Sequence, residues 1–209
     1  MSTHKVFQPR AVFDLIKDFK EGNDKIKLFD KVIDLIDSHP EYAKRKFWDA
    51  SFPYEYYGGE VYCDDEGTLS ESIEGVASPL WMASGRGLVE IVEYLIDKHN
   101  ADVNETWGID CLAVSSLHHA MIDGHLECVQ LLHRHGAELD IHDLSHGNAA
   151  NVAVFSGNVE LLHYVTDHGI GPVEDGKIES AVREPCNNFS LTQAMKDAIK
   201  KNQRICSSK

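Results

Sequence analysis

The chain has 209 residues, of which 43% are apolar and 26% are charged, and its formal net charge is −14. These values are ordinary for a globular protein with a sizeable core. The negative charge disfavours binding to nucleic acids and to anionic membranes, and it favours a basic partner. Residues 1–19 lack the apolar centre of a signal peptide, and no apolar run is long enough to span a bilayer. Because the five cysteines are scattered and odd in number, we expect reduced thiols in the cytoplasm or the nucleus.

The N-terminal part of the sequence predicts two amphipathic helices, over residues 11–20 and 25–37, with apolar residues at helical spacing. We interpret residues 1–40 as a degenerate first repeat or N-terminal helical cap. Residues 41–74 follow as an insert that is aromatic up to Tyr62 and acidic beyond it. A segment of this length inside a compact fold is usually functional or disordered, and the aromatic residues argue against disorder up to Tyr62.

The central part of the sequence repeats itself at intervals of 33 to 37 residues, with units that begin at Ser78, Ser115 and Asn148. Each of these residues can cap a helix, and a glycine follows each first helix, at positions 87, 124 and 157. A second apolar stretch at helical spacing completes each unit. A period near 33 with this pattern is the signature of ankyrin repeats. It predicts an all-α solenoid of stacked helix-turn-helix units, with three repeats over residues 75–172.

Two further features follow in chain order. The interval between the first two units is the longer one, which places an extended connection over residues 105–114, and this connection contains Trp107. Beyond residue 172 the repeat pattern fades. Ser190 is a candidate cap for a last helix over residues 191–200, and we interpret residues 173–209 as a C-terminal helical cap and tail.

A more specific likeness appears within residues 57–136. The sequence has Gly-Gly at 58–59, an acidic loop, Ile-Glu-Gly at 73–75, Pro-Leu-Trp-Met-Ala-Ser at 79–84 and Asp-Gly-His-Leu-Glu at 123–127. In these motifs and their order the chain resembles the N-terminal ankyrin array of the Fem (feminization) family. The repeat that this family carries between residues 41 and 57 is missing or eroded here, and the third unit departs from the family motif.

The resemblance implies a receptor for substrates of cullin–RING ubiquitin ligases, whose ankyrin groove captures C-terminal degrons, commonly ending in arginine. Asp123 matches one acidic position of the family, and the second falls on Asp64 or Asp65. Paired, charge-assisted hydrogen bonds from a guanidinium to a carboxylate make this chemistry reasonable. The predicted peptide-binding residues are Asp64, Asp65, Trp81, Trp107, His119 and Asp123. The family's ligase-adaptor segment lies far downstream of the region that matches, so the sequence does not support cullin recruitment.

Other kinds of site compete poorly with structural explanations. The pairs His133/His135 and His142/His146 have spacings that occur in metal sites, but no paired Cys-x-x-Cys is present and Cys128 is expected to face the core. Trp81 could fill the core as well as line a groove, and Asp123 could be merely solvated. No nucleophile with a partner base and no phosphate-binding glycine loop is recognisable. We therefore predict no metal, no cofactor and no enzymatic activity.

Two functional hypotheses remain. The first is a non-enzymatic, monomeric adaptor that binds a basic peptide or protein, in its sharper form a Fem-like receptor for C-terminal degrons. The second is a scaffold or inhibitor, unrelated to ubiquitin ligation, that binds its partner through the aromatic segment 42–62. A charge reversal at Asp123 distinguishes them, because it should abolish binding only under the first hypothesis.

Overall fold

A computed structural model describes residues 11–20, 22, 24–44, 78–107, 114–143, 147–176, 178 and 191–208. Most of the insert predicted over residues 41–74 therefore lies outside the described residues. Within the described ranges, the helices are α1 (Ala11–Lys17), α2 (Lys25–Ser38), α3 (Pro79–Gly85), α4 (Val89–His99), α5 (Ser116–Ile122), α6 (Leu126–Arg134), α7 (Ala149–Phe155), α8 (Val159–Asp167) and α9 (Gln193–Ser207), with a short 3₁₀ helix at Pro40–Ala43. None of these helices is both long and apolar enough to cross a membrane.

The helices stack in two rows, which confirms the predicted all-α solenoid. The first row contains α1, α3, α5 and α7, each of seven residues, and consecutive members pack against each other. The second row contains α2, α4, α6 and α8; α2 contacts α4, and α4 contacts α6. Every residue of α3 is buried, as are six of the seven residues in α5 and in α7. The first row is therefore the centre of the core.

The starts of the first-row helices confirm the predicted caps. The side chains of Ser78, Ser115 and Asn148 each accept a hydrogen bond from the backbone N–H three residues further along the chain. Such a cap satisfies one of the free N–H groups at a helix start. The glycines at 87, 124 and 157 have φ angles of 65°, 74° and 74°, so each takes the left-handed backbone conformation that this turn requires.

Two short hairpins precede α5 and α7. The strands β1 (Thr106–Trp107) and β2 (Val114–Ser115) pair antiparallel, as do β3 (His142–Asp143) and β4 (Gly147–Asn148). Both hairpins were missed by the sequence prediction. Strands of two residues are too short to show the alternation of apolar and polar residues that reveals a strand.

The last helix differs from its prediction. It runs from Gln193 to Ser207, seven residues beyond the predicted end at 200, and its cap is Thr192, whose Oγ1 accepts from the N–H of Met195. The physical reason is Asn202, which is completely buried. Its amide N–H groups donate to Thr166 Oγ1 and to the Ile170 carbonyl, and its Oδ1 accepts from the backbone N–H of Val173. A polar residue on the buried face of α9 hides the end of the helix from a search for apolar spacing.

Candidate peptide-binding site

Of the predicted contact residues Trp81, His119 and Asp123, the structure places the side chain of Asp123 at the surface. It follows the last residue of α5, and its side chain is 31% exposed. One carboxylate oxygen, Oδ2, lies 3.3 Å from Nε2 of His119, one helical turn earlier. Burial raises the pKa of the Asp123 carboxyl, and the nearby charges of His125 and Arg86 act in the opposite direction. Asp123 is thus a partly desolvated carboxylate held by a side chain of its own helix.

His119 and Trp81 lie beneath Asp123. Their rings stack with centroids 3.7 Å apart and an interplanar angle of 24°, and the two residues are only 5% and 1% exposed. The ring of His119 fits here because Gly85 of α3 has no side chain, and a Cβ at that position would overlap it. Of the two interpretations that the sequence left open for Trp81, the structure therefore gives the core. Both rings can position Asp123, but they offer a partner very little surface.

The protonation of His119 limits its hydrogen bonds. Burial lowers the pKa of its imidazole to about 3, so the ring is neutral near pH 7. Its Nδ1 lies 3.1 Å from the carbonyl oxygen of Trp81, and its Nε2 faces Asp123. A neutral imidazole carries one N–H. It therefore donates either to the Trp81 carbonyl or to the Asp123 carboxylate, and not to both.

Arg86 brings a positive charge to the same surface. It caps the C-terminus of α3, as Asp123 caps α5, and its guanidinium donates to the Lys17 carbonyl at 3.0 Å. The surface around Asp123 is therefore of mixed charge, and the positive charge of Arg86 would weaken the attraction of a cationic ligand to the Asp123 carboxylate.

The remaining predicted contact residues are Trp107, Asp64 and Asp65, and of these only the backbone of Trp107 is described. Trp107 belongs to β1 and pairs with Val114, at the start of α5, whereas Asp123 follows the end of that helix. A seven-residue helix is about 10 Å long, so roughly this distance separates the two ends. Asp64 and Asp65 lie outside the described residues. The structure thus brings together Trp81, His119 and Asp123.

A larger acidic surface lies along the connections that follow the second-row helices. We define the acidic edge as residues 100–106, 135–142 and 170–176; it contains no lysine or arginine. Its acidic residues are Asp102, Glu105, Glu138, Asp140, Glu174 and Asp175. Side-chain amides link these segments: Asn104 donates to the Gly136 carbonyl and accepts from the N–H of Glu138, and Asn148, which pairs with His142 in the second hairpin, donates to the Pro172 carbonyl. The sequence showed the recurring loop ends, but their charge becomes one surface only when the repeats stack.

Of the four histidines with metal-site spacings, His133 and His135 have structural partners, and His146 lies outside the described residues. Nδ1 of His133 lies 2.8 Å from the hydroxyl of Tyr164, and Nε2 of His135 lies 3.7 Å from a carboxylate oxygen of Asp97. Cys128 is buried, and burial raises the pKa of its thiol to about 12. Among the residues that the structure describes, no three histidine, cysteine, aspartate or glutamate side chains are grouped to hold a metal ion.

Comparison with known proteins agrees with this architecture. Residues 63–143 and 80–175 match the family model for ankyrin repeats in three copies. No curated protein matches the chain significantly. Because the matched region, residues 63–175, covers more than half of the sequence and the helices stack as repeated pairs, the chain belongs to the ankyrin-repeat family.

Proposed function

We propose that this protein binds a basic segment of a partner protein along its acidic edge. Ankyrin repeats are protein–protein interaction modules that are generally non-enzymatic. The observation that carries the proposal is the charge of the acidic edge, where six carboxylates from three segments occur without a lysine or arginine. Charges of one sign on a continuous surface attract a partner of the opposite sign and repel one of the same sign.

The contacts along the acidic edge make it a continuous surface. The asparagine bonds hold neighbouring segments together, and Nε2 of His142 lies 3.9 Å from Glu174 of the third segment. Exposed charges are screened beyond about 8 Å at physiological ionic strength, so only a partner with several cations at short range gains from this edge. We therefore expect binding that weakens as salt is raised.

The sharper proposal concerns peptides that end in arginine, and the support for it comes from the Fem-like motifs and from Asp123. When the single N–H of neutral His119 is donated to the Trp81 carbonyl, the Asp123 carboxylate lacks a donor from that ring. A guanidinium would supply two parallel donors to the carboxylate. In this role Trp81 and His119 are positioning residues, and Asp123 is the contact.

A binding assay with short peptides that differ only in their C-terminal residue tests this proposal. We expect arginine-ended peptides to bind more tightly than alanine-ended ones. They should also lose affinity between 50 and 300 mM salt, because the Debye length, about 10 Å at 0.1 M, shortens as the ionic strength rises. The variant Asp123→Lys should reduce this binding at least tenfold. The matched control is Asp167→Lys, which makes the same charge change at an exposed position on α8 and should change binding less than twofold.

A second pair of variants separates the acidic edge from Asp123 and from the aromatic segment. The double variant Glu138→Lys/Asp140→Lys should weaken binding of any lysine- or arginine-rich peptide, whatever its C-terminus. If neither this variant nor Asp123→Lys changes the affinity while Tyr56→Ala/Tyr57→Ala abolishes it, the partner binds through the aromatic segment 42–62. That result would replace the proposal with the scaffold hypothesis.

A further inference from the structure

The C-terminal helix carries a stripe of basic residues. Lys196, Lys200 and Arg204 of α9 are exposed and follow one another at intervals of four residues, so they line one side of the helix. We call these three residues the basic stripe. Lys201 lies beside it. None of these four cations makes an ion pair with a described residue, and the one acidic residue of α9 is Asp197.

This stripe contrasts with the rest of the protein. The chain has a formal net charge of −14, yet α9 contains four basic residues and one acidic residue. Like charges at a spacing of four residues on a helix repel each other. Asp197 lines one shallow hollow beside the stripe, and a second hollow, lined by Lys200, Gln203, Arg204, Ser207 and Ser208, has no carboxylate in its lining. An anionic group bound there would relieve the repulsion.

We propose that the basic stripe binds an extended acidic segment of a partner protein, with aspartate or glutamate at every second position. The spacing supports this choice. Four residues of an α-helix rise about 6 Å, which is the axial distance between successive cations. In an extended chain the side chains on one side repeat every two residues, or about 6.7 Å. Three alternate carboxylates would therefore lie opposite Lys196, Lys200 and Arg204.

Two other anionic partners fit the stripe less well. The apolar side of α9 is buried, including Met195, Ala198 and Ile199, so the helix has no apolar face to insert into a membrane. The stripe is about 12 Å long by the same helical rise. A nucleic acid would extend beyond it over a protein of high negative charge and would be repelled there.

Fluorescence anisotropy with labelled peptides tests this proposal. One peptide has three glutamates that alternate with serine, and a second has the same composition with the three glutamates adjacent. We expect the alternating peptide to bind the full chain at 50 mM salt, and the adjacent peptide to bind at least threefold more weakly. The variant Lys196→Gln/Lys200→Gln/Arg204→Gln should weaken binding of the alternating peptide at least fivefold.

The matched control removes three exposed lysines from α2, in the variant Lys25→Gln/Lys27→Gln/Lys31→Gln. It makes the same change in net charge and should alter the affinity less than twofold. Circular dichroism checks that both variants are folded. Equal weakening by the two triple variants would show a general charge effect and would overturn the proposal, as would no binding of the alternating peptide to the unmodified protein.

Competing partners are tested in the same assay. Phosphatidylserine vesicles or a single-stranded RNA that bind in a stripe-dependent way, while the alternating peptide does not, would also overturn the proposal. The inference is independent of the proposed function, because Asp123→Lys should leave binding at the basic stripe unchanged within twofold.

Discussion

Two of the junctions between successive first-row helices, those on either side of α5, are built differently. Between α3 and α5, which we call the first junction, Trp81 stacks on His119. Between α5 and α7, the second junction, the equivalent repeat positions are His118 and Val152, both buried. The first junction thus contains two buried, stacked rings, one of which contacts the partly exposed Asp123, whereas in the second Val152 takes the place of His119. Packing and the candidate site are therefore coupled at the first junction and separate at the second.

The largest expected effect comes from removing the ring at the first junction. Trp81→Ala should lower the free energy of unfolding by about 3–5 kcal/mol, since it deletes a fully buried indole and leaves a cavity. It should also weaken peptide binding, because His119 loses its stacking partner. The comparison at the second junction is Val152→Ala, at the counterpart of His119, which should cost about 2 kcal/mol and leave binding unchanged. Urea unfolding and the peptide assay measure both; equal costs at the two junctions would contradict the comparison.

The next effect concerns Gly85, which makes room for the ring of His119. Gly85→Ala should lower the free energy of unfolding by about 1–3 kcal/mol through overpacking, although alanine is normally the better helix former. Gly176→Ala is the control, since a Cβ there meets no heavy atom within 4 Å. In a His119→Ala background the Gly85 substitution should become neutral or stabilising. Additive costs in that double variant would show that the ring and the glycine do not interact.

The repeat architecture could be predicted from sequence because its signals are local. Caps such as Ser78, glycines such as Gly87 and apolar residues at helical spacing each report on a few neighbouring residues. The hairpins and the true length of α9 could not be predicted this way. A two-residue strand has no periodicity, and Asn202 looks polar until its bonds to distant backbone groups are known.

The candidate site was predicted less well, for a physical reason. The sequence places Trp81 in the first repeat unit and His119 and Asp123 in the second. It does not show which of these side chains is buried between the two units and which is exposed. The acidic edge depends on contacts between segments some 30 residues apart, such as Asn104 with Gly136. Surfaces made by stacking need the three-dimensional arrangement, whereas the signals within each unit do not.

Acid should weaken the first junction through His119. Burial lowers the pKa of His119 to about 3, so below its ordinary value of 6.5 the unfolded chain binds this proton and the folded protein does not. The free energy of unfolding should fall as the pH drops from 6.5 towards 3, by up to about 1.4 kcal/mol for each pH unit. The equivalent residue at the second junction, Val152, does not titrate.

Urea unfolding between pH 7.5 and 4.5 checks this prediction, with His119→Gln as the comparison. The variant should lose part of the pH dependence, whatever its stability at pH 7.5. The raised pKa of Asp123 acts with the opposite sign, since its folded carboxyl takes up a proton more readily and gains stability as the pH falls, so Asp123→Asn should steepen the loss in acid. Parallel pH profiles for the protein and His119→Gln would show that folding does not lower the pKa of this imidazole.

The smallest effect distinguishes the two junctions by one side chain. Asn158 caps α8 and its amide donates to the Gly124 carbonyl at 2.8 Å, across the second junction. The equivalent residue at the first junction is His125, which makes no side-chain cap for α6. Asn158→Ser keeps a capping oxygen but removes the bridge, and should cost about 1 kcal/mol. His125→Asn should gain a similar amount by supplying the missing cap. Thermal unfolding of both variants measures these changes. His125 lies beside Gly87, so a loss of stability in His125→Asn would mean that the packing of the imidazole against Gly87 stabilises the fold more than the new cap does.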